Sequence, residues 1–536
     1  MKKRLNFTNN VHYLLVMLLL GATVSCTDLD VEETDSVNAV AFEGVVDPEG
    51  FITGLYNNLN GFIGDQANLF ALSEVTTDEF LIPTRGADWG DNGIWRQLHQ
   101  QNWPTDHAFI TNVFNQWNGL HFSGAQLLSP LTTLTAEQQG QAQFMRALGM
   151  WVILDNFGQV PVRNPEESLL IDPLVLTGEE AVAQIIADLE GAITNLNDVA
   201  PGAGTVRAGR SAARYLLAKV LLNRHVYLGT SPDAGDMNRI VDLVNQIEGD
   251  GFGLEAGYFN IFRESADNET ILFLTAGVGN RIFNGLHYNQ AVEVSGGGWN
   301  GFATLAEFYD LFEGPADSNL EGEGQEERRG FVPLSGSAFT GEAGTTESGN
   351  VPGVSQGSEV GNGFLIGQQY GLDGSPLTDR PGGPLVYRRD YTDNNGASNL
   401  INNDENTGIR VIKYNPTFGG FTGHEIFFRF ADAHLMRAEA IMRGASGDAL
   451  AEVNELRNLR GAAPLGSMTE QDMLDERGRE LYEEIWRRND LIRFGQFTRD
   501  WELKDPAAVG NANLNLFPIP ASQIILYPNF TQNPGY

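Results

Sequence analysis

The chain has 536 residues, of which 42% are hydrophobic and 10% aromatic. It is therefore too apolar for a disordered chain and too long for one ordinary core without repeats or large insertions. Its 69 acidic residues outnumber the 34 basic ones and give a formal net charge of −35, which argues against binding to DNA or RNA. Because the chain has a single cysteine, an intrachain disulfide and a CxxC metal site are excluded.

The N-terminal residues 1–25 predict a lipoprotein signal peptide. A basic start at residues 2–4 precedes an apolar stretch at residues 11–22, which is shorter than the about 20 residues that cross a bilayer. Small residues directly before Cys26 resemble the lipobox of bacterial lipoproteins, although a secretory signal with an incidental cysteine is the alternative. We expect a lipid anchor on Cys26, an acidic tether over residues 26–45, and export to the surface of a Gram-negative outer membrane.

Hydrophobic residues recur at helical spacing in several blocks of the chain. The predicted helices of the first half are residues 138–157, 179–196 and 211–228, with Ser211 as the N-cap of the third. In the C-terminal part, helical stripes run from Phe427 to Met442, from Ala449 to Leu456 and from Leu474 to Ile485, with glycine-containing breaks between them. A helix, a short break and a second helix form an αα-hairpin. We therefore predict a mostly α fold on a tetratricopeptide-like scaffold of helical hairpins.

Residues 229–424 differ in character, since they are rich in Gly, Asn, Ser, Asp and Pro. So much loop is too long for simple connections within a compact domain, and binding residues often lie on such loops. We expect one domain over residues 46–536. Its helical framework would cover about 46–228 and 425–536, and a loop-rich insertion at about 229–424 would carry the ligand site.

Four stretches resemble the SusD/RagB family in their order and spacing: residues 142–162, 210–222, 429–481 and 516–536. Members of this family are surface lipoproteins that bind nutrients, usually glycans, for a TonB-dependent outer-membrane transporter. The resemblance covers nearly the whole mature chain. It implies a protein that captures a glycan without cleaving it and delivers it to a SusC-like transporter, over which it lies as a lid.

Aromatic residues on loops are the candidates for a glycan site. A sugar ring presents an apolar face to a flat aromatic ring, and its hydroxyl groups bond to Asp, Asn and Arg. The window at residues 77–95 resembles a family loop that forms part of the binding arc, and it contributes Asp78, Arg85, Trp89, Asn92 and Trp95. A second window contributes Tyr288, Trp299 and Asn300. The remaining tryptophans are predicted core residues: Trp103, Trp117, Trp151, Trp486 and Trp501.

Motifs for catalysis are weak in this sequence. It has no HExxH, no GxSxG in a strand–turn–helix setting and no cysteine pair. Carboxylates are too numerous to exclude a glycosidase pair. A surface lipoprotein glycoside hydrolase and a tetratricopeptide-like protein–protein scaffold therefore stay as alternatives, with peptide uptake as a variant within the family. No cofactor is expected; residues 390–404 faintly match a Ca²⁺ loop, but Asp404 stands where an EF-hand has Glu, and an Asx-turn loop is the simpler interpretation.

Overall fold

The computed structural model describes residues 42–168, 170–263, 267–279, 281, 285–292, 296–332, 360–371, 375–393, 395–416 and 420–536. The predicted signal peptide, Cys26 and most of the tether lie outside these ranges. The segment Glu43–Tyr536 forms one compact unit. Among the described residues, no helix is long and apolar enough to cross a membrane.

The described helices of six residues or more are numbered α1 to α12 in chain order. They are α1 Pro48–Ile63, α2 Ile94–Gln100, α3 Ala108–Leu127, α4 Ala136–Phe157, α5 Gly178–Asn195, α6 Arg210–Leu228, α7 Ala234–Gly249, α8 Phe430–Met442, α9 Ala449–Leu459, α10 Glu470–Leu481, α11 Arg487–Arg493 and α12 Ala521–Leu526. Shorter helical turns lie at Asn68–Phe70, Ala71–Val75, Asp91–Gly93, Ala203–Val206, Tyr258–Ile261, Ala306–Tyr309, Glu327–Arg329, Gly420–Gly423 and Ala512–Asn515.

Hydrophobic periodicity located the long helices well, because each buries one or more apolar faces. The helices α4, α5 and α6 begin and end within two residues of the predicted bounds. The N-cap of α6 was predicted wrongly. Gly209 occupies that position, and the Ser211 hydroxyl instead donates a hydrogen bond to the carboxylate of Asp250.

Two C-terminal predictions extended helices too far. Phe427 lies in the strand Glu425–Arg429 rather than in α8; all five residues of that strand are buried, so its apolar run imitates a helical stripe. Ile485 lies beyond α10, which ends at Leu481. The backbone at Glu483 and Ile485 has φ values of +63° and +67°, a left-handed conformation that a continuing helix does not allow.

Consecutive helices pack side by side from α3 to α7, and α8 packs on both α7 and α9. Glycines permit the close approach of α3 and α4. A Cβ atom at Gly149 would lie 2.8 Å from the backbone nitrogen of His121, and one at Gly124 would lie 2.8 Å from the Cβ of Arg146. The array accounts for the helix-rich scaffold, while its detailed likeness to tetratricopeptide repeats stays a prediction.

Short antiparallel strands supply most of the regular structure between α7 and α8. They and an earlier hairpin are β1 Gln159–Val162, β2 Leu174–Thr177, β3 Thr270–Leu274, β4 Gly330–Phe331, β5 Asn362–Leu365, β6 Gly367–Gln368, β7 Val386–Tyr387, β8 Arg410–Ile412 and β9 Glu425–Arg429. Among the described residues the sheets are β1–β2, β3–β9, β4–β5–β8 and β6–β7. Pairing of β3 with β9 ties the part of the insertion that follows α7 to the strand that leads into α8.

A buried charge network joins the insertion to the C-terminal helices. The Glu480 carboxylate accepts hydrogen bonds from Arg429 (2.7 Å), Arg460 (3.0 Å) and Arg328 (3.2 Å). Arg429 and Arg460 also pair with Glu269, and all five side chains are fully buried. Burial alone would raise the pKa of Glu480, but the three guanidinium groups outweigh it and hold this pKa well below its usual range.

The substitution Glu480→Gln keeps the shape of the side chain and leaves the three arginines short of a counter-charge. We expect the free energy of unfolding, measured by urea titration with circular dichroism, to fall by about 3–5 kcal/mol. Glu190→Gln is the matched control, because its ion pair with Arg239 is exposed and such pairs contribute about 0–1 kcal/mol. Equal losses in the two variants would contradict the central role of Glu480.

Candidate functional site

Two loops that are distant in sequence meet at a tryptophan pair. The indole Nε1 of Trp89 donates a 2.7 Å hydrogen bond to the backbone carbonyl of Trp299. Trp89 is half-buried, whereas the Trp299 side chain is 57% exposed. A Cβ atom at position 301 would lie 2.4 Å from the Trp89 ring, so only Gly301 lets the indole lie against that backbone. The Trp299 indole is therefore exposed on a loop whose backbone is fixed by the Trp89 indole.

Arg85 fixes the same loop from inside. It is buried, and its guanidinium donates to the carbonyls of Asn300 (2.6 Å), Gly301 (2.8 Å) and Thr407 (2.7 Å). Burial, followed by repulsion from Arg410, lowers the pKa of Arg85. Because these contacts occupy the Arg85 side chain within the protein, the structure places it behind the surface.

Asn300 and Trp95 also lie behind the exposed ring. Asn300 is fully buried; its side-chain oxygen accepts from Arg410 (2.7 Å), and its amide donates to the Glu405 carbonyl (3.1 Å). Trp95 is 4% exposed and packs edge to face on Trp89 with ring centroids 5.8 Å apart. Both residues support the surface and leave its outward contacts to other side chains.

Tyr288 lies beside the tryptophan pair. Its hydroxyl donates to Asp88 (2.6 Å), which directly precedes Trp89. Glycines allow the Trp299 loop to pack on this segment, since a Cβ at Gly297 would lie 2.4 Å from the Tyr288 carbonyl oxygen. Burial, then the hydrogen bond to Asp88, raises the pKa of the Tyr288 hydroxyl, which therefore stays protonated at neutral pH.

Arg380 completes this surface, and the sequence did not predict its role there. Its guanidinium carbon lies 3.9 Å from the centroid of the Tyr288 ring, and it pairs with Asp88 (2.8 Å) and with Glu405. A lone arginine in a loop without periodicity carries no signal of such a role, because its partners are about 25 to 290 residues away in the chain. We call Trp89, Tyr288, Trp299 and Arg380 the aromatic surface.

The two carboxylates that border the aromatic surface do not form a glycosidase pair. Burial raises the pKa of Asp88 and of Glu405, but hydrogen bonds from Tyr288 and Arg380 to Asp88, and from Arg380 and His287 to Glu405, outweigh it and lower both values. Glycoside hydrolysis needs one carboxylic acid that stays protonated to serve as the general acid. Neither Asp88 nor Glu405 meets this requirement.

The other two predicted residues of the first window lie elsewhere. Asn92 is exposed on the loop that follows Trp89, with a φ of +52°. Asp78 is 1% exposed, and its carboxylate pairs with Arg487 (2.7 Å) and Arg499 (2.7 Å). The structure gives Asp78 internal partners for its charge, so we leave it out of the proposed site.

Two further predictions concern residues outside the aromatic surface. The five tryptophans predicted as core are at most 5% exposed, which confirms that prediction: Trp103, Trp117, Trp151, Trp486 and Trp501. In the segment that resembles a Ca²⁺ loop, Asp393 accepts from the backbone nitrogens of Asn395 (2.8 Å) and Ala397 (2.9 Å) and from the side chain of Asn399 (2.8 Å). These contacts are those of an Asx turn, the interpretation preferred from the sequence; the expectation that no cofactor is bound stays a prediction.

Comparison with known proteins identifies the family. The SusD family model matches residues 269–536, half of the chain, and the chain belongs to that family. It is 27% identical to the starch-binding protein SusD of Bacteroides thetaiotaomicron, over 98% of each chain. The predicted resemblance is thereby confirmed. Membership in this family makes the chain a binding protein rather than an enzyme.

Solved structures show the same fold. A SusD-like protein from Bacteroides fragilis has a TM-score of 0.65 at 15% identity, covering 93% of this chain and 98% of its own. Surface glycan-binding protein A from Bacteroides fluxus has a TM-score of 0.59 at 18% identity, covering 91% and 99%. A laminarin-binding SusD-like protein reaches 0.62 at 17% identity, covering 92% and 100%. The predicted helix-rich, SusD-like fold class is confirmed.

Measuring stability as a function of pH tests whether the Asp78 carboxylate is ion-paired in the folded protein. Burial raises the pKa of its carboxyl, but Arg487 and Arg499 outweigh it and lower this pKa to about 2. The folded-state pKa lies below that of the unfolded chain, so the stabilisation is present above about pH 4 and is lost as the pH falls towards 2.

Asp78→Asn should lower the free energy of unfolding by about 3–5 kcal/mol at pH 7, because the buried Arg487 and the half-buried Arg499 both lose their counter-charge. Thermal unfolding of both proteins between pH 7 and pH 3 should show their difference in stability shrinking below about pH 4. A difference that is small at pH 7, or constant with pH, would contradict the ion-paired state of Asp78.

Proposed function

We propose that this protein binds a glycan at the aromatic surface and does not cleave it. The observation that carries the proposal is the exposed indole of Trp299 on a loop held by Trp89 and Arg85. Indole faces suit the apolar face of a sugar ring, while nearby polar groups suit its hydroxyls. The names of the relatives, which bind starch, laminarin or surface glycans, support the same ligand class.

Preorganisation is the physical advantage of this arrangement. The backbone of the Trp299 loop is bound by the Trp89 indole and by Arg85, so little of it needs to be ordered when a ligand binds. Tyr288 is likewise fixed, by Asp88 at its hydroxyl and by Arg380 at its ring. Restricting these groups beforehand lowers the entropy cost of binding.

The proposed cellular role combines the predicted lipid anchor with membership in the family. We place the protein on the outer-membrane surface, held by lipid on Cys26, where it captures an oligosaccharide or polysaccharide. A SusC-like TonB-dependent transporter would then receive the glycan. The lipobox-like sequence before Cys26 supports the anchor, and membership in the SusD family supports the partner. The role requires no cofactor.

Trp299→Ala tests the site. The variant should lose about 1–3 kcal/mol of glycan binding, an affinity loss of about fivefold to 150-fold, because stacking of a flat ligand on a ring is removed. A glycan array that includes starch and laminarin oligosaccharides would identify the ligand, and calorimetry would give its Kd. The melting temperature should stay unchanged, since the side chain is more than half exposed.

Ile525→Ala is the control for removing an exposed apolar side chain elsewhere, since Ile525 is 83% exposed on α12. It should bind the glycan as the unaltered protein does. If Trp299→Ala also keeps full affinity, the aromatic surface is not the site. Release of new reducing ends during incubation would contradict binding without cleavage.

Cys26→Ala tests the anchor and the partner together in cells that express the transporter. The unaltered protein should be acylated, fractionate with the outer membrane and co-purify in mild detergent with a large β-barrel transporter. The variant should lack the acyl group and appear in the soluble fraction. A variant that remains lipid-modified would refute the anchor, and a membrane-bound protein that purifies without the barrel would refute the partner.

A further inference from the structure

An open cavity of about 350 Å³ borders the loop of Trp89 and is not explained by the aromatic surface. Arg96 and Gln100 of α2 line one side, and residues 399–402 line the other. Backbone hydrogen bonds join the second side to Thr84, which precedes the loop of Trp89: they run from Thr84 nitrogen to the Leu400 carbonyl (2.9 Å) and from Asn403 nitrogen to the Thr84 carbonyl (3.2 Å). The cavity is therefore part of the same rigid framework as the aromatic surface.

Arg96 is the charged group of this cavity. Its Nη1 donates to the Thr84 hydroxyl and, at 3.5 Å, to the Gly90 carbonyl. It forms no ion pair with any described residue, and its Nε and Nη2 have no hydrogen-bond partner there. An arginine whose Nε and Nη2 edge is open can form two parallel hydrogen bonds with a carboxylate or a sulfate.

The other lining groups fit the same ligand. No acidic residue is among those that line the cavity, although the chain has a net charge of −35. The amides of Gln100 and Asn402 have no side-chain hydrogen bond within the described part of the chain and can donate. Asn399, in contrast, is engaged with Asp393 and with the backbone nitrogen of Ile401. Cation and amide donors without an acidic acceptor favour an anionic group over neutral hydroxyls.

The location of the cavity connects it to the proposed site. The Thr84 hydroxyl accepts from Arg96 and donates to the backbone carbonyl of Trp89 (3.3 Å), so a single side chain joins the two. Arg380 on the aromatic surface cannot serve the same purpose, because Asp88 and Glu405 already neutralise it. Arg96, in contrast, has no carboxylate partner among the described residues, so its charge is left for a ligand.

We infer that this cavity binds an acidic substituent of the glycan, either the carboxylate of a uronic acid or a sulfate ester, through Arg96, Gln100 and Asn402. The inference rests on the proposed function, because the same glycan chain would reach from this cavity to Trp299. It assigns the substrate class as an acidic polysaccharide, and it gives Arg96 the role of a specificity-determining residue.

An array of acidic glycans, each paired with a neutral form, tests the inference. Suitable pairs are oligogalacturonate with its methyl ester, alginate oligosaccharide with its carboxyl-reduced form, and carrageenan oligosaccharide with its desulfated form. The purified protein should bind one acidic member at least about tenfold more tightly than its neutral form, as for a charge-assisted hydrogen bond. The pair that responds distinguishes carboxylate from sulfate.

Arg96→Gln should abolish this tenfold preference, and an unchanged circular dichroism spectrum and melting temperature would show that the variant is folded. Arg96→Lys should keep only part of the preference, because lysine retains the positive charge but cannot form the bidentate hydrogen bonds of arginine. Arg239→Gln removes the same charge from the distant helix α7 and should change nothing.

Three results would overturn the inference: a tightest ligand that is uncharged, equal affinity for the two members of every pair, or a preference that survives Arg96→Gln. If a neutral glycan binds and Trp299→Ala weakens it, the proposed function stands while the inference falls. If no glycan on the array binds at all, both fail.

Discussion

The buried carboxylate of Glu480 is the constraint on which the rest of the structure depends. Arg328 of the insertion, Arg429 of β9 and Arg460 at the end of α9 all reach it. A buried charge is costly unless its partners are in place, so these segments are stabilised together or not at all. This coupling explains how the insertion, which beyond α7 has only short strands and helical turns, can hold its loops in a defined arrangement on the helical scaffold.

A second group of arginines donates hydrogen bonds to backbone carbonyls rather than to carboxylates. Arg85 and Arg410 are buried and donate to carbonyl groups at residues 300–301, 405 and 407–408. Charge-assisted bonds of this kind replace the regular ladder that a sheet would supply. The cost is the burial of two positive charges, which lowers the pKa of both, and repulsion from Arg410 adds to the effect at Arg85. Rigidity of the binding loops is thus gained at the expense of stability, as is common at functional sites.

Local patterns in the sequence predicted what local physics determines. Helical periodicity located α4 to α6, and helical or framework contexts identified the five core tryptophans. The strand around Phe427 was missed because a fully buried strand and a buried helix are equally apolar. The aromatic and polar composition of the loops predicted Trp89, Tyr288 and Trp299 as site residues. The same composition could not show that Arg85 lies behind the surface, where it fixes the loop, rather than on it. That distinction, like the place of Arg380, depends on contacts across hundreds of residues.

The uneven exposure of the tryptophans has an optical consequence. Six of the eight indoles are at most 5% exposed, Trp89 is half-buried, and Trp299 is mostly in water. Emission from an indole in water is shifted to longer wavelengths than emission from a buried one, so the red edge of the spectrum belongs chiefly to Trp299. A sugar that covers this ring would move or quench that edge and leave the rest of the emission in place. The Trp299 indole therefore serves as an intrinsic fluorescent reporter at the proposed ligand site.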